Sequence, residues 1–225
     1  MGRTAGQLPE TTTRQLAPDP GANRLVPLLA RGAAGRDTLA ALALEQRWVI
    51  AADHRSFLYL AGRAAQEPRT AAWFTALAEG EASAGRLLEA FAAACGVHEE
   101  RAVAYEPLPG CQAYPAYVAW LALNGSPSET MLALHANFSA WGGCCAAIAE
   151  ALRRHYGFTD EACAFFDFFA GPAPELERTA TAAVQAALDA GRLDEDLVHR
   201  YGHLLRAYEA MFWETLWELE VRQED

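Results

Sequence analysis

The sequence is short of β-branched residues, while alanine is abundant and leucine, glutamate and arginine are frequent, so local preference points to helix nearly everywhere. An all-α class follows. Clusters of basic residues are also missing, and the formal charge is −11. Without them phosphates cannot be neutralised, which argues against a nucleic-acid partner and against an anionic membrane. No apolar run at the N-terminus could serve as a signal-peptide core, and no later segment approaches roughly 18 uninterrupted apolar residues. A soluble cytoplasmic protein is expected. Cysteine is too scarce and too irregularly placed for a disulfide framework or a zinc ribbon: Cys95, Cys111, Cys144, Cys145 and Cys163 form an odd set with no C-x-x-C pair. They are expected to be reduced thiols. There is no internal repeat.

What is present suffices for a full core: 52% of the 225 residues are hydrophobic, enough for one domain. Residues 1–21 hold Thr and Pro with little periodic apolar content and read as a flexible tail; 22–225 read as a single helical domain. A short helix over roughly 23–31 precedes a long one that Asp37 would cap and that runs to about Ala65. Pro68 breaks the chain and a third helix follows, ending near Cys95 and Gly96. The stretch 96–111, with Pro107, Pro109 and Gly110, reads as a connection. Helices then follow over about 113–123, from a Ser126/Glu129 capping box to Tyr156, and from Thr159 or Asp160 to Gly171. Two more run from Pro174 to about Ala190 and from about Leu193 to Arg222.

Two acids interrupt otherwise apolar stripes. Asp53 has Val49 at i−4, Phe57 at i+4 and Leu60 at i+7, which puts a carboxylate on the core-facing side of its helix. Desolvating it is costly unless it is paired, so it either bridges helices as a salt bridge or keeps a raised pKa for proton handling. Glu209 repeats the pattern with Leu205, Phe212, Trp213 and Leu216. Aromatic walls favour its neutral form, which suits a general acid near neutral pH. With Tyr114 and Tyr117 on a third helix, these acids resemble a polar pocket set into a helical core, although each tyrosine alone fits an ordinary amphipathic position. Glu195, His199 and His203 have metal-ligand spacing, but His203 lies about 120° around the helix from Glu209, so a solvated face is expected there and no metal. Adjacent Cys144 and Cys145 point about 100° apart and read as inert core thiols. His54 reads as a surface or boundary histidine.

The segment Tyr208-Glu209-Ala210-Met211-Phe212-Trp213-Glu214 resembles the last helix of the TenA/thiaminase II family, where a catalytic glutamate precedes Phe-Trp. Ala113-Tyr114-Pro115-Ala116-Tyr117, followed by Asn124-Gly125 and Glu129, is similar to another family region, and Val49 to Asp53 to its aspartate-bearing helix. The likeness covers roughly residues 22–222. It implies a haem-oxygenase-like helical bundle, a homodimer or homotetramer, no cofactor, and an enclosed pocket for an aminopyrimidine. It assigns Asp53 to the pyrimidine amino group and ring nitrogen and Glu209 to proton delivery and removal. Tyr114, Tyr117, Trp141, Phe169 and Trp213 would surround the ligand.

This sequence departs from the family pattern at the nucleophile. The family's cysteine falls at Asn137, and an amide cannot replace a thiolate; Cys144, at i+7, lies about 10 Å further along the axis. Two family pocket tyrosines fall at Ser56 and Phe169. The resemblance therefore implies a cysteine-independent hydrolase of an aminopyrimidine or related thiamin-type compound, with Asn137 as a ligand contact. A non-catalytic ligand-binding or regulatory homologue is the alternative. An oxidase on the same scaffold, di-iron or cofactorless, is a further one; di-iron chemistry would need about six inward ligands, and the third helix, with Glu79, Glu81 and Glu89, holds no histidine.

Overall fold

The computed structural model describes residues 6–17 and 23–224. Among them are ten helices and no strand: α1 (Gln7–Gln15), α2 (Leu25–Ala30), α3 (Arg36–Arg63), α4 (Pro68–Ala94), α5 (Glu99–Val103), α6 (Pro109–Asn124), α7 (Pro127–Tyr156), α8 (Asp160–Ala170), α9 (Pro174–Asp189) and α10 (Glu195–Glu224). Proline opens α4, α6, α7 and α9, where its fixed φ suits the first turn and its missing N–H would have had no helical partner. Thr159 caps α8 by accepting from the Ala162 amide at 3.3 Å. Gly157, at φ +71°, ends α7 in the left-handed conformation that glycine alone adopts without strain.

Several local expectations are corrected. Asp37 lies inside the first turn of α3, and Gly35 occupies the cap, its amide donating to the Glu220 carboxylate at 2.9 Å. Ser126 makes no capping bond to the backbone. Its hydroxyl donates to Glu129 instead, and the other Glu129 oxygen accepts from the Asp194 amide at 2.9 Å, tying α7 to the start of α10. The connection 96–111 contains the short α5. Within the segment expected to be a flexible tail, α1 is a formed helix: Leu8, Thr12 and Leu16 recur at i, i+4 and i+8, are buried, and seat it on the bundle, Leu16 resting where Gly202 of α10 leaves room.

The long helices α3 and α4, joined by residues 64–67, pack along one another, and α6, α7 and α10 complete the bundle with α8 and α9 outside. One helix, α7, is long and apolar enough to cross a bilayer; 47% of that stretch is buried against its neighbours. The apolar core divides in two. One cluster takes Val49 and Ile50 of α3, Ala84 and Leu88 of α4, Cys145 and Ile148 of α7, and Phe212 and Leu216 of α10. The other takes Phe57 and Leu60, Leu77 and Ala78, Leu132 and Leu134, and Leu205 from the same four helices. At the seam each helix carries a polar residue, in order Asp53, Glu81, Asn137 and Glu209, and Tyr114 of α6 packs against both clusters.

Candidate functional site

Close helix packing brings these seam residues together. At Gly85 of α4 a Cβ would stand 3.4 Å from Ile50 Cγ2, and His54 Nδ1 meets the Ala78 carbonyl at 2.8 Å, so α3 and α4 approach closely around Asp53 and Glu81. Between α6 and α10 the contact is tighter: a Cβ on Gly110 would lie 1.9 Å from Thr215 Oγ1. One turn further along α6, this draws Tyr114 toward Glu209.

The electrostatics follow from burial. Asp53 is 5% exposed, its Oδ1 has no partner, and desolvation pushes its carboxyl up to about 8. Burial likewise raises Glu81 well above the ordinary range, and the neighbouring Asp53 charge raises it further. Glu209 is raised by burial, offset by hydrogen bonds from Asn137 and Trp213 and by the Arg206 charge. Tyr114 is pushed up by burial and by the charges of Asp53, Glu209 and Glu81, while a hydrogen bond from Asn137 works the other way. The Asn137 amide nitrogen therefore donates to both Tyr114 and Glu209, leaving a buried Oδ1 with no partner. Trp213 Nε1 approaches Glu209 Oε1 at 3.5 Å.

All five residues line one cavity of about 1420 Å³. Phe138 and Trp141 of α7, Phe169 of α8 and Phe212 of α10 form its aromatic walls, with Trp141 set edge-on to Phe169 at 5.8 Å between ring centres. Exposed Glu10 and Arg14 of α1, with Pro172 and Glu175 at the α8–α9 junction, mark its mouth, and buried Asp53 and Asn137 its floor. The face of α1 opposite its anchoring leucines is thus a wall of the cavity. The arrangement offers unpartnered acceptors at the floor, a glutamate to one side and apolar aromatic walls between.

Of the residues singled out from sequence, Asp53, Glu209, Tyr114, Asn137, Trp141 and Phe169 line this cavity. Tyr117 does not. It points about 60° around α6 from Tyr114, packed against Trp120 and Tyr208 with its hydroxyl buried and unpartnered. Trp213 stands behind Glu209, 5.8 Å from Trp141 between ring centres, rather than on the cavity surface. Ser56 also lies off the cavity, its hydroxyl bonded to the Ala52 carbonyl at 2.9 Å. Among the described residues no cysteine lines the cavity; Cys144 accepts from Asn23 Nδ2 at 4.0 Å, and burial with the Glu209 charge pushes its thiol up to about 11. Nor do three or more His, Cys, Asp or Glu side chains gather closely enough among those residues to hold a metal ion. Glu81 is the site residue that sequence reasoning passed over, although Leu77, Ala78, Ala84 and Leu88 flank it at the spacing that marks Asp53.

The described residues thus form an all-helical bundle whose core is split by a polar, aromatic-walled cavity. A sequence model of the TENA/THI-4/PQQC family matches residues 24–218, and the chain belongs to that family. Solved structures agree on the fold. A domain of unknown function with a heme oxygenase-like fold from Shewanella denitrificans superposes with a TM-score of 0.72 at 15% identity, over 95% of this chain and 90% of that one. A TenA homologue from P. horikoshii gives 0.67 at 16%, covering 95% and 96%. A TenA family transcription regulator from Silicibacter gives 0.61 at 14%, covering 96% of each. No protein of curated function matches the chain's sequence. The family match begins after α1, so that wall of the cavity lies outside it.

Proposed function

We propose that the chain is a cysteine-independent hydrolase of a carbon–nitrogen bond in an aminopyrimidine or a related thiamin-type compound. The observation that carries this is the convergence of Glu209 and Asp53 on a cavity that no cysteine among the described residues lines. Ionised Glu209, held by Asn137 and Trp213, takes a proton from water as the water oxygen bonds to the ring-borne carbon; the carbon–nitrogen bond breaks, and that proton passes to the departing amine. Asp53 Oδ1 accepts from the ring amino group, and the ring rests against the aromatic wall that Trp141 and Phe169 form. Because Glu209 must be ionised, turnover rises with pH through its raised pKa. Glu209→Gln keeps shape and polarity but cannot carry the proton. It is expected to lower kcat by roughly 10²–10⁴-fold in an amine-release assay. Equal turnover by the variant would remove Glu209 from the chemistry.

A second reading, a binding or regulatory protein that keeps the pocket without the chemistry, is favoured by the amide at Asn137 and by the description of one structural neighbour as a transcription regulator. Saturable thermal stabilisation by aminopyrimidines without turnover would select it. The di-iron reading lacks a ligand set among the described residues. Homo-oligomerisation is also proposed, supported by exposed Trp120 and Leu123 on α6 and Leu204 and Met211 on the adjoining α10. Sedimentation should give a dimer or tetramer, and a monomer at micromolar concentration would contradict this.

A further inference from the structure

We propose that α1 is a lid over the cavity, held shut by Leu16 in a notch that Gly202 leaves in α10, and that it lifts to let ligand in and out. The inference rests on the cavity being a ligand site, as above, and adds how that site is reached.

One face of this segment belongs to the cavity and another to the bundle. Pro9, Glu10, Thr13, Arg14 and Ala17 follow one another at helical spacing and line the cavity. Leu8, Thr12 and Leu16 are buried to within 3% of full burial and face the bundle. At Gly202 the fit is close: a Cβ there would stand 2.2 Å from Leu16 Cδ1 and 3.2 Å from its Cγ, so a larger side chain competes with Leu16 for the same space. Gly202 lies in the interior of α10 and is that helix's one glycine. Glycine weakens a helix at such a position, and the seat of Leu16 accounts for it.

The hold is weak. α1 has nine residues, fewer than the roughly 12–15 at which an isolated helix becomes even marginal. It contains three consecutive threonines, Thr11 to Thr13, which are poor helix formers, and Gly6 gives it no side-chain capping bond. The segment is helical because it is docked, and two buried leucines are set against the ordering of its whole length. Such an element opens by itself, without unfolding of the bundle. The walls supplied by α7 and α10 belong to helices of 30 residues each, packed along the core. A ligand that touches both α1 and the floor makes all its contacts only with the lid down, so occupancy favours closure. The lid precedes the residues that the family model matches, 24–218, so family membership does not supply it.

The test reads entry into the cavity without any aminopyrimidine. Leu77 is on the cavity wall and 8% exposed, and among the described residues no native cysteine shares that surface. Leu77→Cys therefore places a reporter thiol there, and peptide mass mapping follows its alkylation by iodoacetamide in the folded protein. Leu16→Cys with Gly202→Cys, added to the reporter, should oxidise to a disulfide, since the Cβ positions are within bridging reach. With that bridge closed, alkylation at position 77 is expected to slow by roughly ten-fold or more relative to the same protein with the bridge reduced. Gly202→Leu, a good helix former that fills the notch, should speed alkylation at position 77 by a similar factor. It should also speed hydrogen exchange across α1 while the circular dichroism of the bundle stays that of wild type. Equal alkylation rates with the bridge closed and reduced overturn the lid. A pair that does not oxidise, or a Gly202→Leu protein whose α1 amides exchange no faster, overturns the seat. Failure of the hydrolase assay leaves these results standing, and the reverse also holds.

Discussion

Asp53→Asn is expected to make the protein more stable at pH 8 to 9 and nearly unchanged at pH 4, while removing ligand recognition. The sign comes from proton linkage. Asp53 holds its proton in the folded state up to about 8, against an ordinary value of 3.8. Below pH 3.8 the group is neutral in both states and costs nothing. As pH rises from there toward 8, the unfolded chain releases a proton that the folded chain retains, and stability is lost across that window. Relaxation of the cavity reduces the nominal penalty, leaving on the order of a few kcal/mol at alkaline pH. For a chain of this size that corresponds to a Tm shift of about 5 °C or more. Thermal unfolding of wild type and variant between pH 4 and pH 9 reads it directly: the difference should open with rising pH. Parallel curves would mean that Asp53 is not held neutral by burial.

Glu45→Ala should do the opposite and damage the fold at every pH. Glu45 lies eight residues before Asp53 on α3 and is fully buried, yet it is satisfied: Tyr105 Oη donates at 2.6 Å, the Leu108 amide at 2.7 Å, and Gln112 Nε2 to the second oxygen. These bonds fix the end of the 104–108 connection and the first turn of α6, the helix that presents Tyr114. Truncation strands three donors, each costing about 1–3 kcal/mol when left buried without an acceptor. A Tm drop on the order of 10 °C is expected, with faster hydrogen exchange at the Leu108 amide. Glu45→Gln, which keeps an acceptor, should lose less. A Glu45→Ala protein melting within a degree of wild type would show that the contact does not hold the connection.

The contrast between these two acids also shows what could be read from sequence. Asp53 and Glu209 stand out because their helices carry apolar stripes there, with large side chains a turn away on each side. Glu45 does not, because α3 is buried all round from Leu39 to Gln46 and a residue without an exposed opposite face leaves no periodic mark. Glu81 left a mark, but the residues nearest it on that stripe, Ala78 and Ala84, are alanines, whose small side chains hardly distinguish a core stripe from a merely helical one. The anchor of α1 is two leucines with a threonine between them, too sparse to separate from a tail. Tyr117 misled because it lies three residues from Tyr114 on the same helix: about 60° of rotation is enough to carry a side chain from the cavity to the contact with Tyr208. The helix order and most boundaries were legible, since proline and glycine punctuate them. The seam across four helices was not, because it depends on the register at which they pack.

The central claim is that Asp53 and Glu209 address the same ligand from opposite sides of one cavity. A crystal structure of the protein soaked with 4-aminopyrimidine tests it most directly. The ring should lie against Trp141 and Phe169 with its amino nitrogen within hydrogen-bond reach of Asp53 Oδ1 and Glu209 at its other edge. A ring bound elsewhere, or a floor closed by a direct Asp53–Glu209 contact that leaves no room for it, would contradict the account.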